Sequence, residues 1–212
     1  MRRTYRYLDD DTKLKRKKIR SIVLFIVEII LVILLAYVII AFGVEKITMV
    51  GDSMNQTLFD GDKIIVNKML YRFTEPKRFD IIVCKQTGKE HGYYTIKRII
   101  GLPCETIQII NGLVYVNGEE LKEKVQVDLC ANGGMAEEQI TLDENEYFVL
   151  GDNRNNSEDS RFANIGNVIK DDIIGKAWIR IHPFDFVNLI NTKSETDTLK
   201  DQAKQTKDRS NK

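Results

Sequence analysis

The chain has 212 residues, 43% of them hydrophobic, and only three prolines, which suits one folded domain with a small appendage and excludes a disordered chain. Its formal charge of +1 conceals a basic excess at the N-terminus, and the remainder shows no basic surface suited to nucleic acid. Cys84, Cys104 and Cys130 are odd in number and lack CxxC spacing, and His91 and His182 are the only imidazoles, so neither a disulfide framework nor a metal site is supported.

Residues 1–20 carry Arg2, Arg3, Arg6, Lys13, Lys15, Arg16, Lys17, Lys18 and Arg20, offset only in part by Asp9, Asp10 and Asp11. Residues 21–42 follow, apolar almost throughout except for Glu28. As a helix this run would rise about 33 Å at about 1.5 Å per residue, enough to cross a hydrocarbon core. The basic flank precedes it, so the positive-inside rule expects residues 1–20 in the cytoplasm and everything after Phe42 on the outer side of the membrane. A cleaved signal peptide would have a shorter apolar run, of about 7–15 residues, and a small-x-small exit. The exit here, Ile40-Ala41-Phe42-Gly43, lacks that pattern, so an uncleaved single-pass anchor is expected. Glu28 is costly in lipid, by about 2.5–3.5 kcal/mol at mid-helix on insertion scales.

After the anchor the pattern shifts to short strands. Residues 63–66 and 79–83 are β-branched runs bounded by Gly61 and by Thr74-Glu75-Pro76. Residues 93–100 form another, holding Lys97. Alternation puts Thr95, Lys97 and Ile99 on one face and Ile96, Arg98 and Ile100 on the other, so a buried Lys97 beside a solvated Arg98 is expected. Residues 106–116 read as a hairpin around Asn111-Gly112, and Asn117-Gly118 continues the ribbon. Residues 119–140 are polar and read as an excursion from the core. Residues 147–150 form a strand leading into GDNRNNSEDSR, residues 151–161, whose side chains favour local backbone hydrogen bonds and ion pairs. Residues 173–181 give a last strand. Residues 193–212 are charged and apolar-poor, as in a disordered tail. The fold class expected is mostly β: an N-terminal transmembrane helix over 21–42, then an antiparallel β-barrel-like catalytic domain over 43–192, with a β-ribbon insert over about 106–145.

Two residues stand out for chemistry. Ser53 lies in ITMVGDSMNQTL, residues 47–58, just before the turn at Asp60-Gly61-Asp62. A lysine on the buried face of a strand is desolvated, which lowers its pKa, and a neutral amine can take the proton of a serine hydroxyl. Lys97 meets that description if Tyr94, Ile96, Ile99 and Ile100 wall it off and no carboxylate adjoins it. The backbone N–H of Ser53 is the candidate oxyanion donor, since Gly51 lets the chain turn tightly there.

Three segments together are far more specific than that pair. Residues 50–58 with 61–68, residues 94–103 and residues 151–161 resemble the type I signal peptidases, membrane-bound serine proteases that remove signal peptides from exported preproteins. The resemblance runs from the anchor to Ile181. It implies Ser53 as nucleophile, Lys97 as general base, Ser157 as the hydroxyl that orients the lysine, and Asp159 with Arg161 as a supporting pair. It implies no metal and no organic cofactor. Family members usually have proline where this chain has Gln56, and Gly-Asp where it has Cys104-Glu105.

The resemblance further implies preprotein signal peptides and the lipid bilayer as partners. The cleavage region would bind extended beside the enzyme's strands, with residues 47–52 and 79–83 as the candidate edges and small pockets for the first and third side chains before the cut. Met49, Val50, Met54, Leu58 and Phe59 form an apolar group around the nucleophile that is expected in part to rest on the bilayer. Two rival readings are a self-cleaving SOS-type repressor, which shares a Gly-Asp-Ser-Met segment, and a non-enzymatic anchored β-domain. The residues before the apolar run leave no room for the repressor's DNA-binding helices.

Overall fold

The computed structural model describes residues 2–85, 94–123 and 125–187, with side chains described from residue 16 onward apart from 39–42. The tail expected over residues 193–212, and His91, lie outside the described residues. The chain divides into two compact units, Met1–Gly43 and Val44–Lys212.

The first unit is one helix, α1 (Arg2–Gly43), which takes in the basic flank as well as the apolar run. Residues 2–20 contain no glycine or proline and many Lys, Arg and Leu residues, all good helix formers, so nothing stops the helix at the charge boundary. Within it, Arg16–Val38 is 23 residues long with a mean hydropathy of 3.0, long and apolar enough to cross a membrane. Its described side chains are exposed throughout, Glu28 among them.

In the second unit come β1 (Val44–Thr48), β2 (Lys63–Asn67), a single helical turn α2 (Leu70–Phe73), β3 (Ile81–Lys85) and β4 (Tyr94–Gly101). The insert follows as β5 (Thr106–Ile110), β6 (Leu113–Val116), β7 (Glu119–Glu120) and β8 (Ile140–Thr141). The chain then returns through β9 (Glu146–Leu150), β10 (Val168–Ile169), β11 (Ile173–Arg180) and β12 (Asp185–Phe186). The larger sheet runs β1-β2-β11-β3-β4-β9-β10, with β12 added against β11, and the smaller one runs β7-β6-β5-β8. Every described pairing is antiparallel. The two Asn-Gly pairs make the ribbon's turns, with φ of 52° and 81° at Asn111 and Gly112 and 51° and 81° at Asn117 and Gly118, the left-handed values that two-residue hairpin turns require.

Strand alternation sorts the apolar side chains into separate clusters. Ile81 and Val83 of β3 join Met49, Met54, Leu58, Ile64, Val66 and Ile96 in the core of the curled sheet. Ile82 and Cys84 point the other way, toward Ile99, Tyr147 and Val149. A third cluster, including Ile100, Ile107, Val114, Phe148 and Leu150, roots the insert on β4 and β9. Burying each such side chain stabilises the fold by roughly 1.5–3 kcal/mol.

Three expectations are corrected here. Strand β3 is bonded on both sides, to β11 and to β4, so residues 79–83 offer no free edge. Residues 119–140 are no excursion, because Val125, Cys130 and Ala136 are buried. The apolar group around Ser53 splits: Met49, Met54 and Leu58 are core, and only Val50, 83% exposed, and Phe59, 51% exposed, face outward. Hydropathy alone does not separate these residues, since their orientation is set by the turn that carries them.

Candidate active site

The turn between β1 and β2 is a closed, internally bonded loop. Met49 N–H donates to the Asp62 carbonyl at 2.8 Å, and Gly61 N–H donates back to the Met49 carbonyl at 3.0 Å. The Asp60 carboxylate accepts from Gly51 N–H at 2.8 Å, and the Asp62 carboxylate from Phe59 N–H at 2.9 Å. Gly51 has φ +84°, a conformation that costs glycine little, and Ser53 follows two residues later. Among the described residues, no acceptor bonds the Ser53 N–H. Gln56 has φ +88°, a value the proline ring forbids, so this turn is built differently from one carrying proline there. The Gln56 amide instead donates to Asp128 of the insert at 3.3 Å.

Lys97 lies on β4 opposite Ile82. Its side chain is 5% exposed and makes no ion pair within the described residues. Desolvation by burial pushes its amine below the ordinary lysine range; Asp159, Cys84 and Glu158 pull the other way, and Arg161 adds to the lowering. Carboxylates thus act on the lysine through their charge, contrary to expectation, though none forms an ion pair with it among the described residues. The wall differs from expectation at Ile100, which joins the cluster that roots the insert, whereas Ile99 packs with Ile82 and Cys84 on the Lys97 face. Ile165 joins Tyr94 and Ile96 around the cavity that Lys97 lines.

Arg98, expected in solvent, is 2% exposed. Its Nε and Nη2 donate to the two carboxylate oxygens of Asp152 at 2.7 and 2.6 Å, and Asp152 is 0% exposed. Thr57, in the serine turn, donates its hydroxyl to the same carboxylate. One buried acid thus ties the lysine strand, the serine turn and the polar loop together. Strand alternation could place Arg98 opposite Lys97 but gave no sign of a buried partner 54 residues away.

The polar loop, residues 151–161, closes over the serine. Asn153 N–H donates to the Ser53 carbonyl at 3.0 Å, and the Asn153 amide to the Asp52 carbonyl at 3.0 Å. Arg161 binds Asp159 through two bonds of 2.8 and 2.9 Å and donates to the carbonyls of Asn132 and Arg154 at 2.9 and 2.6 Å. Asp159 also accepts from Gly151 N–H at 3.1 Å. Arg154 is paired with Glu123, and Asn155 bonds Ala131 and Leu129, so the insert buttresses the loop. The Ser157 hydroxyl is buried without a hydrogen-bond partner among the described residues. It packs so close to Gly151 that a Cβ there would lie 2.2 Å from it and 2.4 Å from the Ser53 carbonyl oxygen. After Pro103, Cys104 adopts φ 64°, and the Glu105 carboxylate accepts from Leu102 N–H at 2.7 Å and pairs with Arg78 at 2.5 Å.

Ser53 and Lys97 line one open cavity of about 450 Å³, together with residues 47–50, Tyr94, Thr95, Ile96, Glu158 and Ile165. Its long walls are the end of β1 with the residues just after it, and the first half of β4. Strand β9 covers β4 only from Arg98 onward, so residues 94–97 keep one backbone edge unpaired among the described residues. The arrangement brings a hydroxyl, a desolvated amine and a strand-wide groove into one place. Asp52, Asn153, Asp152, Arg98 and Thr57 were not singled out from the sequence as site residues, although each lies in one of the three segments around Ser53, Lys97 and residues 151–161.

A family model described as signal peptidase, peptidase S26, matches residues 22–182. Signal peptidase I P of Bacillus subtilis subsp. natto is 36% identical over 179 residues, covering 79% of this chain and 92% of its own. Signal peptidase I of Leptolyngbya laminosa is 39% identical over 157 residues, covering 71% and 75%. A signal peptidase I of Enterococcus faecalis V583 with a known crystal structure is 33% identical, covers 49% of this chain and 97% of its own, and superposes with a TM-score of 0.40.

Proposed function

The chain belongs to the signal peptidase family, peptidase S26, and we propose that it is a membrane-anchored endopeptidase that removes signal peptides from exported preproteins with a Ser53–Lys97 dyad. Membership in a peptidase family favours this over a self-cleaving repressor or a non-enzymatic module. The observation that carries it is one cavity lined by both Ser53 and Lys97, a lysine whose amine burial holds below its ordinary range.

The substrate enters extended between residues 47–50 and 94–97, adding a strand to the free backbone edges on both walls. Neutral Lys97 accepts the proton of the Ser53 hydroxyl as the oxygen attacks the scissile carbonyl. The unbonded Ser53 N–H donates to the oxyanion. The lysine then passes its proton to the leaving amine, and the peptide bond breaks. With the amine neutral again, it takes a proton from water, which attacks the acyl-enzyme and releases Ser53. The Ser157 hydroxyl, buried and with no hydrogen-bond partner among the described residues, is the group available to fix the lysine's rotamer once the amine turns toward it. Asp159 and Arg161 hold the loop that carries it, and Asn153 holds the Ser53 carbonyl. These steps draw only on protein groups and water.

Helix α1 supplies a single span, with its basic end in the cytoplasm and the catalytic unit, residues 43–192, on the outer side, where Val50 and Phe59 rest on the bilayer. The purified, detergent-solubilised chain should cut a model preprotein after its signal peptide, as read by sequencing the new N-terminus. Ser53→Ala and Lys97→Ala should each remove nearly all cleavage while leaving the fold intact. Cleavage at the wild-type rate by Lys97→Ala would overturn the assignment of the base.

A further inference from the structure

The charges around the groove do not balance. Each buried arginine of the loop and its supports is matched to a carboxylate of its own: Arg161 to Asp159, Arg154 to Glu123 and Arg98 to Asp152. Glu158 is left over. It is exposed, lines the same cavity as Ser53 and Lys97, and has no ion pair or hydrogen bond among the described residues. Among the described residues, the one other Lys, Arg, Asp or Glu lining that cavity is Lys97, which is neutral in the form that attacks. Among the described lining residues, the working groove therefore carries one carboxylate without a counter-charge. Lys97 itself registers that charge, since Glu158 is one of the groups that favour its protonated form.

In an extended peptide successive side chains point to opposite sides. If the first and third residues before the cut turn into the apolar wall, the second faces the open side of the groove, and Glu158 is the exposed carboxylate among the residues that line it. We propose that Glu158 is a specificity-determining residue that favours signal peptides with a basic side chain at the second position before the cut. The inference rests on the signal-peptidase reading above and adds to it the chemistry of one subsite.

Three peptides differing only at that position, with Lys, Gln or Glu, test it on the full-length solubilised chain at low salt. A single solvent-exposed charge pair is worth a few-fold, so wild type should prefer the Lys over the Glu peptide by about tenfold in kcat/KM, mostly through KM. The ratio should fall toward one in Glu158→Gln, invert in Glu158→Lys, and shrink in molar salt as screening sets in. Ratios within each variant cancel any loss from imperfect folding. A flat wild-type ratio, or one that Glu158→Gln leaves unchanged while the Gln peptide is cut, refutes the role of Glu158 and leaves the peptidase reading standing. Failure of wild type to cut any of the three peptides sinks the peptidase reading and this inference with it.

Discussion

Gly151→Ala is the sharpest probe of how the site is assembled. The added methyl would sit 2.2 Å from the Ser157 hydroxyl oxygen, 2.5 Å from the Ser157 Cβ and 2.4 Å from the Ser53 carbonyl oxygen. Ordinary contact needs 3.4–4 Å, so the Ser53 carbonyl and the Ser157 side chain must each retreat by about 1 Å. Neither can do so freely. The Ser53 carbonyl is held by Asn153 N–H at 3.0 Å, and Gly151 is itself pinned by Asp159 at 3.1 Å. Overpacking of this kind costs about 1–3 kcal/mol of stability, and a misplacement of about 1 Å at reacting groups costs about 10²-fold in rate. Urea unfolding and preprotein cleavage read the two effects separately. Ser157→Ala, which removes the hydroxyl without adding bulk, should leave stability nearly unchanged and cost less rate. Retention of cleavage within ~3-fold of wild type in Gly151→Ala would show that the tight junction of serine and polar loop does not position the nucleophile.

Arg98→Met leaves Asp152 buried and uncompensated and should cost about 3–5 kcal/mol in urea unfolding, whereas Arg98→Met with Asp152→Leu should recover most of it. A single variant within about 1 kcal/mol of wild type would refute the junction role given to that pair. Lys97→Met bears on the buried lysine. Burial lowers the lysine's folded pKa, so between that value and the unfolded one, about 10.4, the unfolded chain binds the extra proton and stability rises with pH. Below that window the cost of burying the charge is felt in full. Lys97→Met should therefore melt higher than wild type at neutral pH, the gain shrinking toward about pH 10.4, with cleavage abolished throughout. A variant less stable than wild type at neutral pH would contradict the desolvation on which the base assignment depends.

Much of this protein was legible in one dimension. The apolar run with its basic flank, the two Asn-Gly turns and the β-branched runs are local signals, because length, charge and backbone preference act between near neighbours. The segments around Ser53, Lys97 and residues 151–161 were visible as a family pattern for the same reason: each is contiguous. What the sequence could not give was the pairing between distant segments. Strand alternation put Arg98 opposite Lys97 but could not tell solvent from a buried carboxylate, and that choice depends on Asp152 arriving 54 residues later to offset the desolvation of both charges. Hydropathy grouped Met49, Met54 and Leu58 with Val50 and Phe59, and only the closed turn decided which became core. Residues 79–83 looked like an edge until β11, from the far end of the chain, paired with β3 and left the start of β4 as the free wall. Local chemistry thus determined which groups are present, and long-range hydrogen bonding and burial determined which of them face the groove.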